Sequence, residues 1–231
     1  LNVMVPLANP AHEKELIEVA SAVAKHSGGR VTAVHIVEVP PQLSLEAGAD
    51  HIQELDAESS ELLARAGEDA ETQGVPVETH TILSHRVFRE LFEAAEVHDA
   101  DLVVLGWGEK SHGSPGRVEN AVGDLTGELP CDFAIFKNNG LDPERLLVPT
   151  AGGPDSDVSA TLAKVFQDQY DSEISLMHVV DTTDDIADGE AFLKKWADEH
   201  ELEADNYIVE ASSNIVGTIT EQADKHSLLV L

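Results

Sequence analysis

Three short stretches of the chain, Asn2–Leu7, 31–39 and 102–105, are near-continuous runs of apolar residues, and a fourth, 76–83, alternates apolar with polar. Continuous runs of this length suit strands covered on both faces, and alternation suits a strand covered on one. Between them apolar positions recur at three- and four-residue steps, the period of a one-sided helix. Residues 11–26 carry Leu16, Ile17, Ala20, Val23 and Ala24 and stop at Gly28-Gly29. Leu45–Thr72 is a long acidic helix with Ile52, Leu55, Leu62 and Leu63 on one stripe, and 86–98 repeats the period with Val87, Leu91, Ala94 and Ala95. After the strand at 102–105 come a glycine-containing loop (106–116), a helix (117–128) and a last strand, Asp132–Phe136. The result is a βαβαβαβαβ chain, which calls for a parallel sheet with helices on both faces and right-handed crossovers.

The pattern then restarts. Residues 138–144 (NNGLDPE) read as a linker, after which LLVPTAGGP echoes VMVPLANPA and LMHVVD echoes AVHIVE. The same 29-residue interval separates Pro6 from His35 and Pro149 from His178. Further helices are expected at 155–169, 190–199 and 214–226, with strands at 205–211 and 228–231. The chain is a tandem repeat: a first domain at 1–137, a linker at 138–144 and a second domain at 145–231. The second copy stops at the strand equivalent to 102–105 and lacks the glycine loop and fifth strand. Absence of an initiator Met and a last residue inside an apolar run lead us to expect a piece of a longer polypeptide.

Charge narrows the partners. The 231 residues include 44 Asp and Glu against 14 Lys and Arg, a formal net charge of −30. Nucleic acid and anionic membrane surfaces are poor partners for such a body. At 42% apolar residues the surplus is carried by a folded core rather than by disorder. Self-repulsion of this size is tolerated where salt near 1 M shortens the Debye length to about 3 Å, so a halophilic source is expected. Cys131 is the only cysteine, which excludes an intrachain disulfide and suits a cytosolic setting. No apolar run reaches the ~20 residues of a membrane span.

The segment 106–137 carries the most specific signal. In open α/β sheets the loop leaving the carboxyl end of a strand gathers backbone N–H groups and a helix N-terminus, where ligands bind. The segment resembles the universal stress protein family, whose loop carries G-x2-G-x9-G-[ST] and whose last strand opens with Pro-Cys, as Pro130-Cys131 do here. The spacing fits without a gap, and the family's three glycines fall on Gly106, Glu109 and Glu119, its Ser/Thr on Asn120. The resemblance implies an adenine-nucleotide α-hydrolase-like fold in two tandem, doubly wound parallel sheets of strand order 3-2-1-4-5, the second truncated. It also implies an ATP site at the loops after strands one and four. The Asp that ends the first strand in ATP-binding members is replaced by Ala8 and, in the repeat, by Ala151. Glu109 and Glu119 add bulk where glycines would admit the triphosphate. At about 6 Å and an effective dielectric near 20, each carboxylate opposes a phosphate charge by roughly 3 kcal/mol. ATP or another adenine nucleotide is therefore disfavoured by Ala8, Glu109 and Glu119.

What the loop keeps is Gly106, Trp107, Gly108, Ser111, Gly113, Arg117 and Asn120, with Gly116 beside them. Glycines, a hydroxyl and a guanidinium near a helix start suit a small anion, and Trp107 suits stacking on a ring. The bland alternative is a long turn in which Arg117 pairs with glutamates and Trp107 covers the sheet end. His35 and His178 occupy matching strand positions, which points to a shared structural role rather than a metal. His80, His85, His98 and His112 have no metal-ligand spacing. No nucleophile elbow or Walker loop is present, and no catalytic residue is assigned.

The expectation is a non-enzymatic regulatory or sensor module with a degenerate nucleotide site. It is similar to the tandem domains attached to haloarchaeal cationic amino-acid permeases, which implies a membrane transporter in the same polypeptide as partner, a cytoplasmic location and a homodimer. Two alternatives stand beside it: a free-standing ATP-binding stress protein, and a ligand-free oligomerisation module.

Overall fold

Val3, Met4 and Val5 have no accessible surface, a condition a strand meets only in the middle of a sheet covered on both faces. In the computed structural model they form the centre of β1 (Asn2–Leu7). The described residues are 1–7, 13–40, 42, 44–106, 130–137, 140–153 and 155–231, the side chains of 46–58, 88 and 155 excepted. They divide into two units, Leu1–Gly140 and Leu141–Leu231.

In the first unit β1 is followed by α1 (Glu13–His26), β2 (Arg30–Glu38), α2 (Leu45–Thr72), β3 (Val77–Ser84), α3 (Val87–Val97), β4 (Leu102–Gly106) and β5 (Asp132–Phe136). All five strands are parallel, in the order β3-β2-β1-β4-β5. Register sets the two faces, because side chains alternate along a strand. Val3 lies beside Val31 and Leu102, and this face carries α1 and α2, whose Leu16, Ile17, Ala20, Val23, Leu62 and Ala66 are buried. Met4 lies beside Thr32 and Val103 on the other face. There Met4, Val34 and Val103 form one cluster with Leu91, Ala94 and Ala95 of α3, and Ile36, Ile82, Leu105, Cys131 and Phe133 pack against it.

The second unit repeats the plan: β6 (Arg145–Pro149), α4 (Asp155–Tyr170), β7 (Glu173–Val180), a 3-10 turn (Thr183–Asp185), α5 (Ile186–Glu199), β8 (Asn206–Ala211), α6 (Ile215–Ala223) and β9 (Leu228–Leu229). Its parallel sheet has the order β8-β7-β6-β9. Leu146 pairs with Leu228 as Val3 pairs with Leu102, so β9 stands where β4 stands in the first sheet. Among the described residues no fifth strand follows it.

Two helices differ from their sequence-based bounds. α5 begins at Ile186 rather than at 190, and so contains Gly189. A Cβ at Gly189 would come within 2.7 Å of Val209 and 3.1 Å of Val180; the missing side chain lets this helix lie close on its sheet, which outweighs glycine's low helix propensity. α6 stops at Ala223, three residues before 226, because Lys225 and His226 turn back on Gln222 and Ala223 and lead into β9. Elsewhere the helix ends share one device. Gly29 N–H bonds Ala24 C=O, Val75 bonds Ala70, Ala100 bonds Ala95 and Leu202 bonds Ala197. Each satisfies a carbonyl orphaned at a helix end. Asp99 and Glu201 take the left-handed conformation this needs, at φ 50° and 55°.

Two outcomes test this packing. Met4→Ala should lower the stability of the first domain by about 2–5 kcal/mol, read by guanidinium denaturation in molar potassium chloride; a loss under about 1 kcal/mol would mean the second-face core is not as described. Cys131 is half-buried, and burial, with Asp132 and Asp101 adding to it, pushes its thiol up to about 11. Its alkylation at pH 8 should run on the order of 100-fold slower than that of free cysteine. A rate within a few-fold of free cysteine would place the thiol in water.

Candidate functional site

A parallel sheet of order 3-2-1-4-5 has its topological switch between β1 and β4, and the crevice outside the carboxyl ends of those strands is where such folds bind ligands. In the first domain the carboxyl ends of those strands are Leu7 and Gly106. Gly106 is the last residue of β4, paired with Phe136 and exposed. A Cβ there would lie 3.1 Å from Leu16 Cδ1, so the glycine lets α1 close on the strand end. Of the sequence-based site, Trp107, Gly108, Ser111, Gly113, Arg117 and Asn120 lie outside the described residues, as do Ala8, Glu109 and Glu119. Gly106 alone is placed, at the mouth of the crevice.

The structure adds a residue that the sequence does not single out. Glu13, in the first turn of α1, is the only charged residue buried among the described ones, 3% exposed. Its Oε2 lies 3.5 Å from Arg65 Nε on α2. Burial raises its carboxyl above the ordinary range, Arg65 opposes this and Asp69 adds to it. With 44 acids in the chain, no sequence signal marks this one; only its place where α1 meets α2, at the ligand end of the sheet, does.

The second domain shows its β6–α4 loop in detail. Thr150 Oγ1 accepts from Gly152 N–H at 3.0 Å and pairs with Ser156 Oγ at 3.1 Å, and Ser156 Oγ donates to Gly152 C=O. The loop is thus closed on its own hydroxyls, and Gly152 and Gly153 turn at φ 77° and 91°. Ala151, the residue in the place of the carboxylate, is exposed and presents a methyl group.

His35 Nδ1 donates to Leu7 C=O and His178 Nδ1 to Thr150 C=O, both at 2.8 Å. A carbonyl only accepts, so both rings carry their proton on Nδ1. Each therefore ties the end of the first strand of its repeat to the second, an equivalent structural use. Among the described residues no cluster of three or more His, Cys, Asp or Glu is placed to hold a metal. A cleft of about 560 Å³ in the second domain is lined by Arg145, Glu173, Lys194, Asp205 and Tyr207 among others. It lies at the amino ends of the strands, opposite the switch crevice, and is open surface of mixed charge. No described helix is long and apolar enough to cross a membrane.

Known proteins can be set against this geometry. No protein of curated function matches the sequence. Among solved structures, a universal stress protein from Archaeoglobus fulgidus DSM 4304 superposes with a TM-score of 0.66 at 16% identity, covering 99% of this chain and 85% of its own. The cytoplasmic domain of a prokaryotic cation chloride cotransporter also gives 0.66, at 12% identity over 93% of this chain and 80% of that one. A putative universal stress protein from Pseudomonas aeruginosa UCBPP-PA14 gives 0.58 at 12% identity, over 99% and 80%. At these identities the likeness is one of fold. Residues 1–137, more than half of the chain and the whole first sheet, match the Universal stress protein family, and the chain belongs to that family.

Proposed function

We propose that the chain is a non-catalytic regulatory module in which two universal stress protein domains in tandem, at 1–137 and 145–231 with a linker at 138–144, act on a membrane transporter within the same polypeptide on its cytoplasmic side. The observation that carries this reading is the likeness, through both domains, to the cytoplasmic domain of a cation chloride cotransporter. The resemblance of the sequence to the tandem domains of amino-acid permeases supports an amino-acid transporter rather than an ion cotransporter. The net charge of −30 supports a body that stays off anionic lipid and works in high salt. The edge strand β5, with Ile135 exposed, supports pairing of two copies.

In this reading the nucleotide site is degenerate. Ala151 supplies no carboxylate in the second domain, and Ala8, Glu109 and Glu119 weaken the first. Gly106, Trp107, Gly108, Ser111, Gly113, Arg117 and Asn120 remain as the ligand-contacting set, suited to a smaller anion than a triphosphate. A ligand regulates only by binding two arrangements unequally, so the module works through a shift between arrangements of its domains. The rival is a free-standing nucleotide-binding stress protein, favoured by the equal likeness to the Archaeoglobus protein.

Calorimetric titration of ATP, AMP and cyclic dinucleotides in molar potassium chloride, with and without magnesium, separates the two. No ATP heat at micromolar concentrations is expected, and micromolar ATP binding would overturn the degenerate site. The double variant Glu109→Gly, Glu119→Gly should gain at least about tenfold in ATP affinity, about 1.4 kcal/mol; no gain would assign the loss to Ala8 or to the loop path. The coding sequence around the chain tests the partner: about twelve apolar spans of ~20 residues in the same reading frame are expected, and an isolated reading frame would sink the transporter assignment.

A further inference from the structure

One pair of titratable side chains has no part in the crevice. His80 of β3 and His98, the residue that ends α3, stack with ring centroids 4.1 Å apart and planes tilted by 34°. Both are half-buried. Register puts His80 beside Val34 and two residues before Ile82, on the face that α3 covers, so the pair closes the amino end of the Met4–Val34–Leu91 core. His80 Nε2 is out of contact with water and has no hydrogen-bond partner; the nearest carboxylate oxygen, Glu78 Oε2, stands 3.8 Å away, beyond hydrogen-bond reach.

We propose that His80 and His98 form a proton-operated latch between β3 and the α3–β4 turn, closed while the rings are neutral and opened when both are charged.

The reasoning is electrostatic and local. One added proton is partly balanced by Glu78. A second puts two imidazolium rings about 4 Å apart, with Arg30 of β2 as a further cation acting on His98. Burial first, and then His80 and Arg30, hold the His98 imidazole below its ordinary range, with Glu78 opposing them. A group whose folded-state pKa is depressed in this way contributes stability above the ~6.5 of a free imidazole and loses it as pH falls below that value. The latch therefore opens on acidification.

What it holds is the junction of four elements. The His98 and Asp99 carbonyls both accept from Asn2 Nδ2. Asn2 Oδ1 accepts from the buried Thr32 hydroxyl, and Asn2 N–H donates to Asp101. Asp99 keeps its left-handed conformation within this network. Displacing the His98 ring pulls on α3, β1, β2 and β4 together. The second domain supplies an internal contrast. There Ile208 pairs with Met177 as His80 pairs with Val34, so the repeat has an apolar residue where the first domain has an ionisable one.

Imidazole titration by NMR on the whole chain in molar potassium chloride, from pH 8 to 5.5, tests the latch alongside amide exchange corrected for its intrinsic pH dependence. In the native chain His98 should titrate below 6.5, and the amides of Asp99, Ala100 and Asp101 should lose protection by at least tenfold as it does so. In His80→Gln the His98 midpoint should move up toward 6.5, and in the double variant His80→Gln, His98→Gln the pH-dependent loss of protection should disappear. An unmoved His98 midpoint in His80→Gln, or flat protection across the range in the native chain, overturns the proposal. Should His80→Gln fail to fold, His80→Asn serves the same purpose: an upward shift of the His98 midpoint is expected, and none would refute the coupling.

Discussion

Everything in this protein hangs on a strand that water does not reach. β1 lies between β2 and β4 with helices over both faces, and Val3, Met4 and Val5 are wholly buried. A parallel strand so placed has no free backbone group and no free side chain, so its register dictates which residues of its neighbours face α1 and α2 and which face α3. A slip of one residue would exchange Met4 with Val3 and turn both cores inside out. β6 repeats this arrangement with Leu146, Leu147 and Val148 equally buried, and His35 and His178 lock each such strand to its neighbour at the carboxyl end.

The charge of the chain is organised around that constraint. Among the described residues only Glu13 carries a charge into the interior, where Arg65 meets it. The remaining described acids lie at the surface, and the pairs Glu61–Arg65, Arg89–Glu93, Lys164–Asp168 and Lys195–Glu199 are local links along single helices. Pairs of this exposure contribute about 0–1 kcal/mol each. They do not offset a net charge of −30. The fold thus rests on apolar burial.

Function follows the same division between a kept frame and altered contents. The frame of the family is present down to the switch crevice and the close approach of Leu16 to Gly106. On the function proposed above its contents differ at the positions that would meet a nucleotide, and in the second domain Ala151 stands beside a loop in which Thr150 and Ser156 bond each other.

The sequence by itself determined the fold class and the strand order implied by the family spacing. Strands buried on both faces write their burial as apolar runs, and helices that cover them write theirs as a three-to-four period, so both are local signals. The 29-residue interval from Pro6 to His35 and from Pro149 to His178 raised the expectation of two copies, with which the second parallel sheet of four strands is consistent. Tertiary structure alone decided which of the scattered polar residues matter. His80 and His98 lie on different elements and share no spacing motif, yet crossing α3 back over the sheet brings their rings to 4.1 Å. Glu13 is one acid among 44 in the chain, and only the packing of α1 against α2 buries it. Gly189 reads as a helix breaker until Val209 is found where its side chain would be. Local pattern records how each segment meets solvent; which segments meet one another is settled by the folding of the sheet.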